Sequence, residues 1–138
     1  MKLSIIIVNY NTSHFISQTI RSIKNSNLNI DYEIIIVDND SNDQSIDLIK
    51  KQFTQIKLIE NPSNYGFSKA VNIGVSDSEG EFILILNPDT ILKKDTISEL
   101  YQTLLNDSNI GVVGGKILDC NGKFQLSSRR AFPSFLTL

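Results

Sequence analysis

The sequence has one cysteine, Cys120, in 138 residues, which excludes an intrachain disulfide and leaves a reducing compartment open. Cys120 falls in an expected hairpin turn with no base beside it, so it is read as inert. The single histidine, His14, lies in the first turn of an expected helix and is assigned to the surface. Neither charge dominates: 13 basic residues stand against 15 acidic ones, for a net charge of -2. Lysine and arginine are scattered, and the pair Arg129-Arg130 is read as a solvated face rather than a contact to phosphate or another subunit. No phosphate-backbone footprint exists, and nucleic acid is excluded as an expected partner.

No apolar run approaches the roughly 20 residues that cross a bilayer. The chain opens directly into the strand-like residues 3–8 without a cleavage-site pattern, so neither a membrane span nor a signal peptide is expected. The expected location is cytoplasmic, including the inner face of the membrane. Repeats and low-complexity segments are absent. So is the polar, charge-rich composition of disorder: 41% of residues are hydrophobic and 20% charged, which suits a folded core.

What is present points to one α/β domain over residues 1–138. Short β-branched runs recur at residues 3–8, 33–37, 56–59, 82–86 and 111–118, and their near-continuous apolar character predicts parallel strands buried on both faces. Between them, Ile16, Ile20 and Ile23 keep helical spacing. Ile46, Ile49 and Phe53 do the same, as do Val71 and Val75, and then Ile97, Leu100, Tyr101 and Leu104. Capping-box patterns at Ser41-Asn42-Asp43-Gln44 and Thr96-Ile97-Ser98-Glu99 predict two helix starts. Alternation of strand and helix implies right-handed crossovers and an open, mostly parallel, doubly wound sheet in three α/β/α layers, with ligands beyond the carboxyl ends of the strands. Asn121-Gly122 predicts a late hairpin. The apolar residues 131–138 are unusual for a terminus, and the parent protein is expected to continue beyond them.

Three strand exits collect polar groups: Asn9-Tyr10-Asn11-Thr12, Asp38-Asn39-Asp40-Ser41 and Asn87-Pro88-Asp89-Thr90. A flat ring at a sheet rim can stack on a base, and a carboxylate there can accept from a ring N–H or hydroxyl. At any single exit, Asn, Asp and Ser also serve as turns and caps; three together favour a site for a nucleoside. Asp89 is the candidate ligand of a divalent cation, because a diphosphate is often neutralised by a hard cation held through one or two carboxylates. Pro88 stiffens its turn. Further along, Gly66 permits a sharp entry into a helix. Lys69 falls in that helix's first turn, where a cation and free N–H groups can face a phosphate, unless it is simply solvated.

These segments, in order and spacing, resemble the family 2 glycosyltransferases of the GT-A fold over nearly the whole chain. Residues 5–11 look like the family's opening strand, Ile36-Val37-Asp38-Asn39-Asp40-Ser41 like its second, and residues 64–74 like its loop-to-helix segment. The resemblance implies that Val8 and Tyr10, with Asn9 between them, flank base and ribose. It further implies that Asp38 bonds the base, that Gly66 and Lys69 lie near the diphosphate, and that Asn87 and Asp89 stand in the Asp-x-Asp motif. Asn87 replaces the first Asp, leaving one carboxylate, Asp89, for Mg2+ or Mn2+ and an amide for sugar or ribose. Such Asn-Pro-Asp variants resemble a rhamnosyltransferase branch, implying a deoxysugar nucleotide.

The implied reaction is an inverting transfer from a UDP- or dTDP-linked sugar to a hydroxyl of a glycan or lipid-linked acceptor, in cell-surface polysaccharide synthesis. The family's catalytic base belongs to a later, acceptor-side segment not visible here, so this chain is expected to bind donor and to transfer sugar poorly or not at all. A receiver-like domain is excluded because the first strand exit lacks an acidic cluster. A nucleotidyltransferase is disfavoured because that exit lacks a Gly-rich basic loop. A non-catalytic module binding nucleotide sugar or a partner protein remains the alternative.

Overall fold

The computed structural model describes residues 2–128, so Arg129-Arg130 and the apolar residues 131–138 lie outside the described residues. The chain divides into two compact units, Met1–Ser98 and Glu99–Leu138. In the first, strands β1 (Leu3–Asn9), β2 (Tyr32–Asp38), β3 (Lys57–Glu60) and β4 (Phe82–Leu86) alternate with helices α1 (Ser13–Lys24), α2 (Ser45–Gln52) and α3 (Phe67–Ser76). Helix α4 (Thr96–Asn106) begins at the end of this unit. The sheet order is β3-β2-β1-β4, and every pairing is parallel.

The period-two pleat sends alternate residues of each strand to opposite faces. On one face Leu3, Ile5, Ile7, Ile34 and Ile36 pack with Ile16, Ile20 and Ile23 of α1, Ile49 of α2, and Phe53. On the other, Val8, Ile35 and Val37 pack with Ala70 and Val71 of α3. Helices on both faces make the three layers. All seven residues of β1 are buried, which explains why its apolar run is continuous rather than alternating. Burying each of its isoleucines stabilises the fold by about 2 kcal/mol.

Gly74 lets α3 lie close to the sheet: a Cβ there would stand 2.7 Å from Ile6 Cγ2 and 3.2 Å from Val37 Cγ2. At the sheet's edge Lys57 Nζ, on β3, donates to the carbonyl of Asp77 just past α3 and pairs with its Oδ2, each at 2.8 Å. Helix α3 serves only part of its face, leaving Ile83 and Ile85 of β4 38% and 49% exposed.

Several local expectations are corrected. Residues 111–118 form no strand in the second unit. Only an isolated antiparallel bridge, Leu118 to Phe124, flanks the Asn121-Gly122 turn, which closes with Gly122 N–H on Asp119 O at 2.9 Å. Three glycines in that run and Val112, 90% exposed, explain the failure: an apolar run becomes a strand only where a sheet offers it a partner. Ser41 caps no helix, because α2 starts at Ser45 and the Ser41 hydroxyl is committed to Asp38. On α3 the buried stripe is Ala70, Val71 and Gly74, with Val75 exposed.

Candidate functional site

Strand order decides where a ligand can sit. The chain builds β1, β2 and β3 outward in one direction, then crosses back to add β4 on the other side of β1. In such sheets the connections diverge between β1 and β4, and a crevice opens beyond the carboxyl ends of those two strands. The exits at Asn9-Tyr10 and at Asn87-Pro88-Asp89 stand at the carboxyl ends of those two neighbouring strands.

The β1 and β2 exits are stitched together by buried polar groups. The last residues in register, Asn9 and Asp38, are both 0% exposed. Asn9 Nδ2 donates to Asp38 Oδ1 at 2.6 Å, Ser45 Oγ at 2.9 Å and Ser41 Oγ at 3.1 Å, while its Oδ1 accepts the Thr12 hydroxyl. Asp38 also accepts Ser41 Oγ at 2.6 Å and Ser41 N–H at 2.9 Å. Asp38 is thus fully buried and takes three donors, two at Oδ1 and one at Oδ2, which hold the β2 exit to the β1 exit.

Above this buried layer the two loops cross-link again. Ser41 Oγ accepts Asn11 N–H at 3.0 Å, and Asn11 Oδ1 accepts Asn42 N–H at 2.8 Å. Both turns pass through left-handed backbone, at Asn11 (φ 54°) and Asp40 (φ 65°), the two residue types that tolerate it best after glycine. Tyr10, 46% exposed, and Asp40, also exposed, are what these loops present to solvent.

Asp43 ties the start of α1 to the start of α2. Its Oδ2 accepts Ser13 N–H at 2.8 Å and its Oδ1 accepts Ser45 N–H at 3.0 Å, together with the Ser45 hydroxyl. Burial raises its pKa, but hydrogen bonds from Ser45 and Ser13 outweigh this and hold the carboxyl down to about 2. Each bond favours the ionised form, as does a carboxylate at a helix N-terminus.

The loop before α3 is hung from β2. Asn39, 2% exposed, accepts Asn61 Nδ2 at 2.9 Å and donates to Gly66 O at 3.3 Å. Gly66 adopts φ 78°, the conformation glycine supplies without steric cost, and enters α3 directly. Lys69 lies in the first turn of α3, exposed, with Nζ 3.7 Å from the centroid of the Tyr65 ring. Cation–π attraction thus holds the ammonium near the helix start.

At the β4 exit, Asn87 and Asp89 are exposed and Pro88 is half-buried. The turn closes on Asn87 O, which accepts Thr90 Oγ1 at 2.8 Å. Among the described residues no three His, Cys, Asp or Glu side chains gather to hold a metal. The described residues alone make no cage, but one open carboxylate suits a hard cation that keeps waters and shares phosphate oxygens.

The structure thus sorts the candidates. Tyr10, Gly66, Lys69, Asn87 and Asp89 are accessible, whereas Val8, Asn9 and Asp38 are buried. Sequence reasoning missed Asn39, Asp43 and Asn61, whose only signal was a high density of Asn, Asp and Ser around the strand ends.

A family model described as glycosyl transferase family 2 matches residues 4–136. The chain belongs to glycosyl transferase family 2. A poly(ribitol-phosphate) beta-glucosyltransferase of Bacillus spizizenii is 33% identical over 129 residues, which are 89% of this chain and 20% of that protein. The crystal structure of Staphylococcus aureus TarS 1-349 in complex with UDP-GlcNAc superposes with a TM-score of 0.70 at 25% identity, covering 77% of this chain and 32% of that one. The mannosyltransferase PcManGT from Pyrobaculum calidifontis, in complex with GDP-Man and Mn2+, shares the fold with a TM-score of 0.70 at 21% identity, over 75% of this chain and 32% of the other. The architecture is the GT-A fold, and the chain spans a minor part of each of these proteins. Among the described residues no helix is long and apolar enough to cross a membrane.

Proposed function

We propose that this domain holds a nucleoside diphosphate sugar, together with Mg2+ or Mn2+, and forms the donor side of an inverting glycosyl transfer to an acceptor hydroxyl. The observation that carries the reading is the reversal of strand order at β1 and β4, which puts accessible Tyr10 and accessible Asp89 at the exits of two neighbouring parallel strands. Solved structures of the same fold that hold UDP-GlcNAc, or GDP-Man with Mn2+, support it, and the poly(ribitol-phosphate) glucosyltransferase favours a cell-surface polymer as acceptor.

In this reading Tyr10 offers its ring to the base, while Asp38 and Asn9 act from beneath by fixing the loops that carry it. Lys69 brings positive charge toward the diphosphate, and Gly66 keeps the approach free of a side chain. Asn87 offers an amide to ribose or sugar. Asp89 would hold the cation, which when bound supplies charge neutralisation for the departing diphosphate. An acceptor hydroxyl attacks the anomeric carbon from the face opposite the leaving group, and its proton passes to a general base, which the family resemblance assigns to a later, acceptor-side segment. The UDP- or dTDP-linked donor, the deoxysugar and a cytoplasmic site of action belong to this same proposal.

The test is calorimetric titration of the purified chain with UDP and dTDP, with and without Mn2+. Nucleotide affinity should rise at least about tenfold with the metal, and Asp89→Ala should remove that gain. A folded wild-type chain with no affinity for either nucleotide would instead support a non-catalytic interaction module.

A further inference from the structure

Asp89 is accessible, yet the loop that carries it is gripped from behind by α1. Thr19 is 0% exposed, and its hydroxyl faces two carbonyls. One is Phe15 O, four residues back on its own helix, at 3.5 Å; the other is Pro88 O, at 2.6 Å. A threonine inside a helix usually returns its proton to the preceding turn. Here that distance is at the limit of a hydrogen bond, so the single hydroxyl proton goes across to Pro88.

One turn further along α1, Ser22 holds the same loop with the opposite polarity. Its hydroxyl donates to Thr19 O at 2.8 Å and accepts Leu92 N–H at 3.1 Å. Leu92 packs against the apolar core, while Ile91, its neighbour, is 71% exposed. The two hydroxyls therefore hold the loop on both sides of Asp89, three residues apart on one face of one helix. At the front of the loop, Asn87 O is taken by Thr90. The carbonyls of both residues preceding Asp89 are thereby fixed.

We propose that Thr19, assisted by Ser22, is a positioning residue for cation-dependent donor binding: it sets the backbone from which Asp89 projects without touching the ligand itself. The inference rests on the donor-site reading above and names a residue outside that site. Pro88 has no N–H to anchor it, so its carbonyl is the one backbone handle by which α1 can hold this residue. A carboxylate on an untethered loop loses part of its affinity to the cost of ordering the loop on binding.

Thr19→Val keeps shape and packing but removes the donor, and Thr19→Ser restores it. UDP titration with Mn2+ should show a three- to tenfold loss of affinity in Thr19→Val, about the worth of one hydrogen bond. Titration in EDTA should show no difference between the two proteins, and Thr19→Ser should recover most of the loss. Ser22→Ala should shift Mn2+-dependent affinity the same way by a smaller factor. It tests the clamp independently should Thr19→Val fail to fold by thermal denaturation. Equal weakening of Thr19→Val with and without metal would reduce Thr19 to a structural role, and unchanged affinity in Thr19→Val and Ser22→Ala would overturn the inference. Either result, with Asp89→Ala still abolishing the metal effect, leaves the donor-site reading intact. Absence of any Mn2+ effect in the wild type would remove both.

Discussion

The β1 and β2 exits and the β4 exit reach the same end of one sheet, yet they are built in opposite ways. At the first two, Asn9 and Asp38 lie wholly inside the protein and spend their hydrogen bonds on each other, Ser41, Ser45 and Thr12. At the third, Asn87 and Asp89 stand in solvent, and the loop is held by its backbone, from Thr19 and Ser22. Residues of one chemical type at equivalent strand ends thus divide the labour. Burying a carboxylate is costly unless it is hydrogen-bonded, and Asp38 is met by three donors. The exposed Asp89 carboxylate has no such partners among the described residues, and its loop is supported through the backbone instead.

Asp38→Ala should break this contrast most severely. It removes one acceptor of the Asn9 amide and the acceptor of both Ser41 donors in a largely buried site, and should cost about 3 kcal/mol of unfolding free energy, read from urea denaturation. A loss below about 1 kcal/mol would mean that the buried network is not what joins the two exits.

Acid should reach the same region next. The Asp43 carboxyl is held at about 2 in the fold against an ordinary value of 3.8. Its contribution is therefore complete above the unfolded value and is lost as pH falls through the folded one. Because Asp43 is only partly buried, solvent screening limits the contribution to about 1 kcal/mol. The difference in thermal stability between wild type and Asp43→Asn should shrink as pH is lowered from about 4 to 2. A difference independent of pH would exclude the charge as its source.

The smallest effect belongs to the open exit. Asp89→Ala, the change that should abolish metal-dependent nucleotide binding, should alter stability by less than about 0.5 kcal/mol, as exposed substitutions generally do. Substantial destabilisation in the same denaturation assay would show that Asp89 also serves the fold, erasing the distinction between the two kinds of exit.

Most of the fold was legible because its signals are local. The β-branched runs and the spacing of Ile16, Ile20 and Ile23 report burial directly, since strand and helix expose faces with fixed periods. Legibility ended where an outcome depended on a distant partner. Residues 111–118 read as a strand but have no neighbouring strand among the described residues. Ser41 read as a helix cap, but Asp38, three residues earlier, takes its hydroxyl and its N–H. Thr19 carried no signal at all: a threonine at a buried helical position looks the same whether it bonds its own helix or Pro88, 69 residues away.

The sequence by itself determined the alternation of elements, the parallel sheet, and the collection of polar groups at strand ends, because each follows from residue type and short-range spacing. Only the tertiary structure decided that β4 joins β1 rather than β3, which makes their two exits neighbours. Only it, too, separated the accessible Tyr10 and Asp89 from the buried Asn9 and Asp38. A side chain's exposure and its hydrogen-bond partners are set by what packs against it, and in this protein those partners come from strands and helices tens of residues apart in the chain.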